Sequence, residues 1–145
     1  MSRIVIKGGS LEEIVLDVTD EIRHQMEARS YRAANELRNA ALTVLRGQRS
    51  GRTYRVPGTG TYYTASAPGE PPAVRTGAFR LKWEPRAYST GDSYYSVIEN
   101  DKFYADWLEN GTPGGQMAPR PHHDRIRQAA EPAIRRIYDE PYFNG

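Results

Sequence analysis

His122-His123-Asp124 is the first place in this 145-residue chain where side-chain types suggest chemistry, because imidazole and carboxylate are zinc ligands. Adjacent histidines on a helix, however, point about 100° apart. No third nitrogen or sulfur ligand lies nearby in sequence, and His24 belongs to the polar part of another segment. The pattern reads as a helix N-terminus in which Asp124 meets the positive end of the helix dipole, and no metal ligand is assigned. Glu99, Asp101, Asp106 and Glu109 form a second set. Paired carboxylates serve hydrolysis or Mg²⁺ binding when they converge on one point across a cleft. Here they alternate with Phe103, Tyr104 and Trp107, as solvated residues do beside an apolar anchor. A small hydrolase using Glu99, Asp106 or Glu109 is the enzymatic alternative. No nucleophile elbow, Walker loop, metalloprotease helix or dinucleotide fingerprint occurs, and Gly58-Thr59-Gly60 and Gly114-Gly115 lack the context of a phosphate loop. The chain has no cysteine, which removes disulfides, thiol catalysis and cysteine zinc sites together. The expectation is a protein that is not an enzyme and carries no cofactor.

Arginines make a third set. Arg46, Arg49, Arg52 and Arg55, with Tyr54, Tyr62 and Tyr63, interleave positive charge with stacking surface, as single-strand binders do. Residues 46–90 carry eight basic and two acidic groups, against six and seven in residues 1–45 and six and nine in residues 91–145. The net charge of +2 therefore conceals a basic middle. No groove-fitting helix or nucleic-acid module motif accompanies it. Three readings stay open: a nucleic-acid-binding module using segment 46–63, a basic loop docking on an acidic protein neighbour, and a solvated loop. Arginine–tyrosine mixtures are also the chemistry of protein interfaces.

The elements that position these residues follow from periodicity. The length suits a single domain over 1–145, able to bury roughly two thirds of its extended surface. The apolar fraction of 38% and mean hydropathy of −0.74 imply that part of the chain has little core to bury. No stretch approaches membrane-spanning length, and the first residues lead into no signal-peptide core, so neither a membrane protein nor a Sec-exported one is expected.

Ile4-Val5-Ile6 and Gly8-Gly9 open the chain, and Ser10 with Glu13 suggests a capping box. Leu11, Ile14, Val18, Ile22 and Met26, then Ala33, Ala34, Leu37, Ala41, Val44 and Leu45, trace one helical stripe. A helix over 11–46 would be about 54 Å long. That exceeds the width of such a domain, so a break near Ser30-Tyr31 or a projecting end is expected. Residues 47–78 hold six glycines and four prolines and read as a long, flexible central loop. Tyr54-Arg55-Val56 and Tyr62-Tyr63-Thr64 are candidate arms of a loose hairpin within it. Compact domains rarely keep so long a loop without a use for it. Over 78–84, Phe79, Leu81 and Trp83 alternate as a strand would, while Thr76-Gly77 allows a short helix. A hairpin joins Tyr88 to Tyr94–Glu99 across Ser89–Asp92. Phe103–Glu109 forms a short helix or an edge closed by Asn110-Gly111, and a flexible stretch follows from Thr112 to Gln116. Pro121 then starts a last helix whose stripe is Ile126, Ala129 or Ala130, Ala133-Ile134 and Ile137, ending before Pro141 and kinked by Pro132. The sum is an α+β fold: a long N-terminal helix and a C-terminal helix packed on a small antiparallel sheet.

Ala65-Ser66-Ala67-Pro68-Gly69-Glu70-Pro71-Pro72, followed by Thr76-Gly77-Ala78-Phe79, and Tyr104-Ala105-Asp106-Trp107-Leu108-Glu109-Asn110-Gly111-Thr112, followed by Met117-Ala118-Pro119-Arg120-Pro121, stand in one order. This pattern resembles the family of phage tail-completion or head–tail joining proteins typified by the gp10 protein of phage HK97. The likeness covers about residues 10–138. Phe79 replaces a usual aliphatic, Asn110 a frequent aromatic, and His122-His123 an aromatic or aliphatic pair.

The resemblance implies a structural protein of the virion neck, made in the bacterial host cytoplasm. It implies a homo-oligomer, a hexameric ring matching the tail, between a head connector or stopper and a tail terminator or tube. The central loop would reach a neighbouring subunit or ring. Arg49, Arg52, Tyr54, Arg55, Tyr62, Tyr63 and Trp107 are the candidate interface. Arg46, Arg49, Arg52 and Arg55 are candidate phosphate contacts to DNA in the lumen, without base readout.

Overall fold

The computed structural model describes residues 2–10, 20–47, 49–55, 57–74, 77–91 and 93–141. Strand β1 (Ser2–Ser10) comes first, then helix α1 (Asp20–Val44). A short ribbon, β2 (Thr53–Arg55) and β3 (Tyr62–Thr64), follows, then the one-turn helix α2 (Ala78–Leu81). Strands β4 (Glu84–Thr90) and β5 (Ser93–Asn100) precede helices α3 (Ala105–Asn110) and α4 (His123–Asp139). The fold is α+β, and the described residues form four helices, a three-stranded antiparallel sheet in the order β1-β5-β4, and a separate two-stranded sheet.

The central strand β5 pairs with β1 in a register that sets Ile4 opposite Ile98, and with β4 in one that sets Tyr88 opposite Tyr95. Tyr94, Ser96, Ile98 and Asn100 are buried on one face by the period-2 alternation of a strand. Helix α1 packs across β4 and β5, and α4 packs beside α1 and against β1. Trp83, Ile4, Leu37, Leu45, Ile98 and Ile126 fill the space between the layers. A smaller cluster of Ile22, Met26 and Tyr94 lies beside it, and Tyr138 packs against both. Gly8 sits at a register shift in β1, where a Cβ would collide with the Tyr138 ring. Glycine there lets the strand bulge while the tyrosine passes over it.

The helical stripe is as the sequence predicts from Ile22 to Leu45, while Leu11, Ile14, Val18 and Glu13 lie outside the described residues. Ser10, expected as a helix cap, is the last residue of β1 and pairs with Ser93. No break occurs at Ser30-Tyr31. Ser30 is buried where α1, β5 and α4 meet: its hydroxyl donates to Met26 O (2.8 Å), its carbonyl accepts from Ser96 Oγ (2.7 Å), and its Oγ accepts from Tyr138 Oη (3.1 Å). A small polar residue keeps the helix continuous at this crossing.

Residues 78–84 do not form the alternating strand. Gly77, at φ 85°, turns the chain into one helical turn that leaves Leu81 56% exposed and sends Trp83 fully inside. Arg80 Nε donates to Leu42 O and Asn100 Nδ2 to Phe79 O, so local polar contacts override the period-2 pattern. The last helix begins at His123, with His122 as its N-cap, so Pro121 precedes the helix instead of opening it. Helix α4 continues through Pro132 to Asp139, and Gln128, whose carbonyl loses a partner, is open to solvent. At the far end of α4, Arg29 donates to Tyr138 O and Pro141 O, neutralising the carbonyl end of the helix from α1. No helix among the described residues is long and apolar enough to cross a membrane.

Candidate functional site

The segment expected as one flexible loop divides into a pinned base and a projecting tip. In the base, Arg49 is half-buried and turns its guanidinium inward: Nε donates to Pro71 O (2.6 Å), and Nη2 to Val44 O (2.9 Å) and Pro72 O (3.1 Å). Burial draws its pKa down, with the Glu70 charge opposing. Arg49 and Arg80 thus supply the carbonyl end of α1, which has no basic residue in its own last turn. Glu70 closes the base by accepting Ser50 N (3.0 Å) and Ala67 N (2.7 Å). Those backbone donors hold its carboxyl below the usual carboxylate range. The base is fastened to the chain before α4 by Gly69 N to Pro119 O, Arg120 Nε to Ser66 Oγ and Arg125 Nη2 to Gly69 O.

Beyond this mount, Gly51 N donates to Ala65 O and Ala65 N to Arg52 O, leading into the β2–β3 ribbon. Tyr54 stacks on Tyr63 with ring centroids 5.8 Å apart, and the Arg52 guanidinium lies 5.4 Å from the Tyr54 ring centroid. Arg55 Nε donates to Thr59 O within the tip. Tyr62 is 66% exposed, and every residue of β2 is exposed. The fold therefore gathers Arg52, Tyr54, Arg55, Tyr62 and Tyr63 on one ribbon. Arg46 is exposed just past α1, while Arg49 serves the base. Trp107 stands apart on α3 beside Phe103, which is 81% exposed. Phe103 and Trp107 are thus an open patch rather than an anchor, while Tyr104 is half-buried against Phe79 and Ala105 is fully buried. A groove of about 540 Å³ lies between the loop base and α3, lined by Tyr63, Pro72, Val74, Phe79, Tyr104 and Leu108 among others.

The four acids part company. Glu99 is held by Arg3 (3.0 Å) and Arg86 (2.7 Å), Asp101 lies near Lys82 (3.7 Å), and Asp106 is exposed. Glu109 turns inward to the start of α4. Its Oε2 accepts His122 N (2.8 Å) and His123 N (3.3 Å), and lies 2.9 Å from His122 Nδ1 and 4.0 Å from His123 Nε2. Burial works to raise the Glu109 carboxyl, but hydrogen bonds from the His122 ring and backbone, and the charges of both histidines, outweigh it and bring the pKa to about 2. Burial lowers the pKa of His123, whose Nε2 lies 2.7 Å from Ser2 Oγ.

One ligand atom from each of Glu109, His122 and His123 lies within 4.8 Å of the others. Sequence proximity offers no nitrogen or sulfur partner for the histidine pair, and the fold brings a carboxylate to it from thirteen residues upstream. Glu109 comes from another helix, and His122 stands outside α4, so the two rings do not obey helical spacing. The turn Asn110-Gly111 was the available signal. Gly111, at φ 81° with Met117 O and Pro119 against it, reverses the chain, and Thr112 Oγ1 accepts Met117 N to close the loop read as flexible.

Comparisons with protein-family models, with curated proteins and with solved structures find no match to this chain.

Proposed function

We propose that this chain is a structural subunit of a phage or prophage-like particle, a tail-completion or head–tail joining protein that assembles as a ring in the neck, between the head connector and the tail tube. The β2–β3 ribbon carries the reading. It pairs three residues with three and joins no strand of the main sheet, and isolated two-stranded ribbons are marginal in water. Its base is nevertheless pinned by Arg49, Glu70 and Arg120. An exposed aromatic ribbon on a fixed mount suits insertion against another subunit, where backbone and side-chain partners complete it. Closed rings use such heterologous contacts, one face meeting a different face of the neighbour. The residues that carry the family resemblance also build this mount: Pro71 and Pro72 accept Arg49, while Glu109, Gly111 and Thr112 set the start of α4.

Replacing 53–64 by two glycines tests this reading. The monomer is expected to keep its fold, because the ribbon lies outside the main sheet, and to lose incorporation into particles. Mass measurement of the purified chain, beside recovery of the variant from assembled particles, reads both effects. Particles that form normally with the shortened chain would remove the reading.

A second reading rests on Arg52 over Tyr54, with Arg46 and Arg55 exposed nearby: the ribbon contacts nucleic acid. It predicts salt-sensitive binding, with log K falling by about 0.7–0.9 per phosphate neutralised for each tenfold rise in salt. Titration of labelled DNA at two salt concentrations checks it, and absence of binding at low salt ends it.

A further inference from the structure

We propose that Glu109, His122 and His123 form a binding site for one divalent transition-metal ion of the zinc class, tying α3 to the start of α4. The proposal is independent of any role in a particle. Two imidazoles and a carboxylate are a donor set used by zinc centres that keep a fourth position for water. The separations of 2.9 Å and 4.0 Å from Glu109 Oε2 to His122 Nδ1 and His123 Nε2 bracket the roughly 3.3 Å between ligand atoms around tetrahedral zinc. Side-chain shifts below about 1 Å therefore suffice for those two pairs.

Adjacent histidines converge here because the backbone changes conformation between them. His122, at φ −143°, is the N-cap, and His123 is the first helical residue. Their ring centroids are 4.9 Å apart with planes at 89°. Ligands must be deprotonated to bind a metal. Glu109 is ionised, and burial favours the neutral ring of His123. Asp106 and Glu109 favour the charged ring of His123, while His122 and Arg127 act with burial against it.

Binding requires a change of tautomer at His122. Both neighbours of its Nδ1, Glu109 Oε2 and Arg120 O, accept hydrogen bonds, so Nδ1 carries the proton in the metal-free chain. His122 is fully buried, and its Nε2 has no hydrogen-bond partner among the described residues. An ion on Nδ1 moves that proton to Nε2, where it meets no acceptor among the described residues, a cost the metal bond must exceed. It gives up the contact to Arg120 O and turns the Ser2 hydroxyl away from His123 Nε2, where Ser2 can partner a bound water. Glu109 keeps its two backbone N–H partners, because a carboxylate has about four lone-pair sites.

Untagged full-length protein, stripped with chelator, is titrated with Zn²⁺ against a chromophoric competitor, and with Co²⁺ followed by visible absorption. The expected result is one ion per chain at micromolar Kd or tighter, with the absorption of a four-coordinate cobalt centre. Removing outer-shell partners costs about 10–100-fold in affinity, so loss of a ligand in His123→Ala or Glu109→Gln is expected to cost more than about 100-fold. His24→Ala, on the exposed side of α1, leaves binding unchanged. Circular dichroism confirms that each variant is folded, and His123→Ala, at a half-buried position, carries the test if Glu109→Gln does not fold. Absence of binding at about 100 μM Zn²⁺, or binding that survives His123→Ala, overturns the proposal.

Discussion

Trp83→Ala is expected to lower the unfolding free energy by about 3–5 kcal/mol, the range for deleting a buried aromatic. At about 2–4 °C per kcal/mol for a chain of this size, the melting temperature falls by roughly 10–15 °C. The indole is fully buried in the main core. It stands edge-to-face with Phe79, His122 and His123 at centroid distances of 5.9–6.1 Å. Arg38 holds its backbone carbonyl at 2.8 Å, which limits how far the chain can collapse into the space left. Trp83→Phe separates packing from polarity. The indole N–H is buried without a hydrogen-bond partner among the described residues, and an unsatisfied buried donor costs about 1–3 kcal/mol. Phenylalanine sheds that cost while losing part of the volume, so its effect is expected to stay below about 2 kcal/mol. Urea unfolding of the two variants beside the parent measures both terms. A Trp83→Ala loss under 1 kcal/mol would mean the indole is not a core anchor.

The sequence places Trp83 on one face with Phe79 and Leu81, and the structure parts it from Leu81, with Trp83 buried and Leu81 exposed. Alternation of Phe79, Leu81 and Trp83 is the correct signal for a strand when nothing local competes. Here Gly77 in the left-handed region and side-chain bonds from Arg80 and Asn100 impose one helical turn instead. The α1 stripe and the β4–β5 hairpin were legible because their information is local: a repeat of three and four, and two strands around a turn. The loop base was not, since Arg49 and Glu70 fold it through partners about twenty residues away. From composition, Arg49 resembles its exposed neighbours Arg52 and Arg55, and only tertiary structure separates the fastener from the surface. The Glu109 cluster has the same origin. Along the chain, its carboxylate belongs to an acidic run and its histidines to a helix start, and the reversal at Gly111 superimposes them.

That superposition makes acid the second strong perturbation. Glu109 titrates at about 2 in the folded chain, against an ordinary value of 4.5. The folded state therefore holds its proton more weakly than the unfolded state does. The stabilisation is present above pH 4.5 and is lost as pH falls from 4.5 toward 2, and at 1.36 kcal/mol per unit it amounts to about 3 kcal/mol. His123 acts in the same direction from higher pH. Its lowered folded pKa lets the unfolded state take the proton first below 6.5, so stability already declines there. Glu70 and Glu140 are likewise held low, by the backbone N–H groups of Ser50 and Ala67 and by the Arg32 hydrogen bond, so the acid limb of the parent has several contributors. Glu109→Gln isolates one of them. With chelator present, the variant is expected to be about 3 kcal/mol less stable than the parent at pH 7. The gap should nearly close by pH 2, where the parent carboxyl is about half protonated. Urea unfolding at pH 7, 4, 3 and 2 measures the difference. Parallel curves for parent and variant would show that the Glu109 carboxylate is not what holds the start of α4.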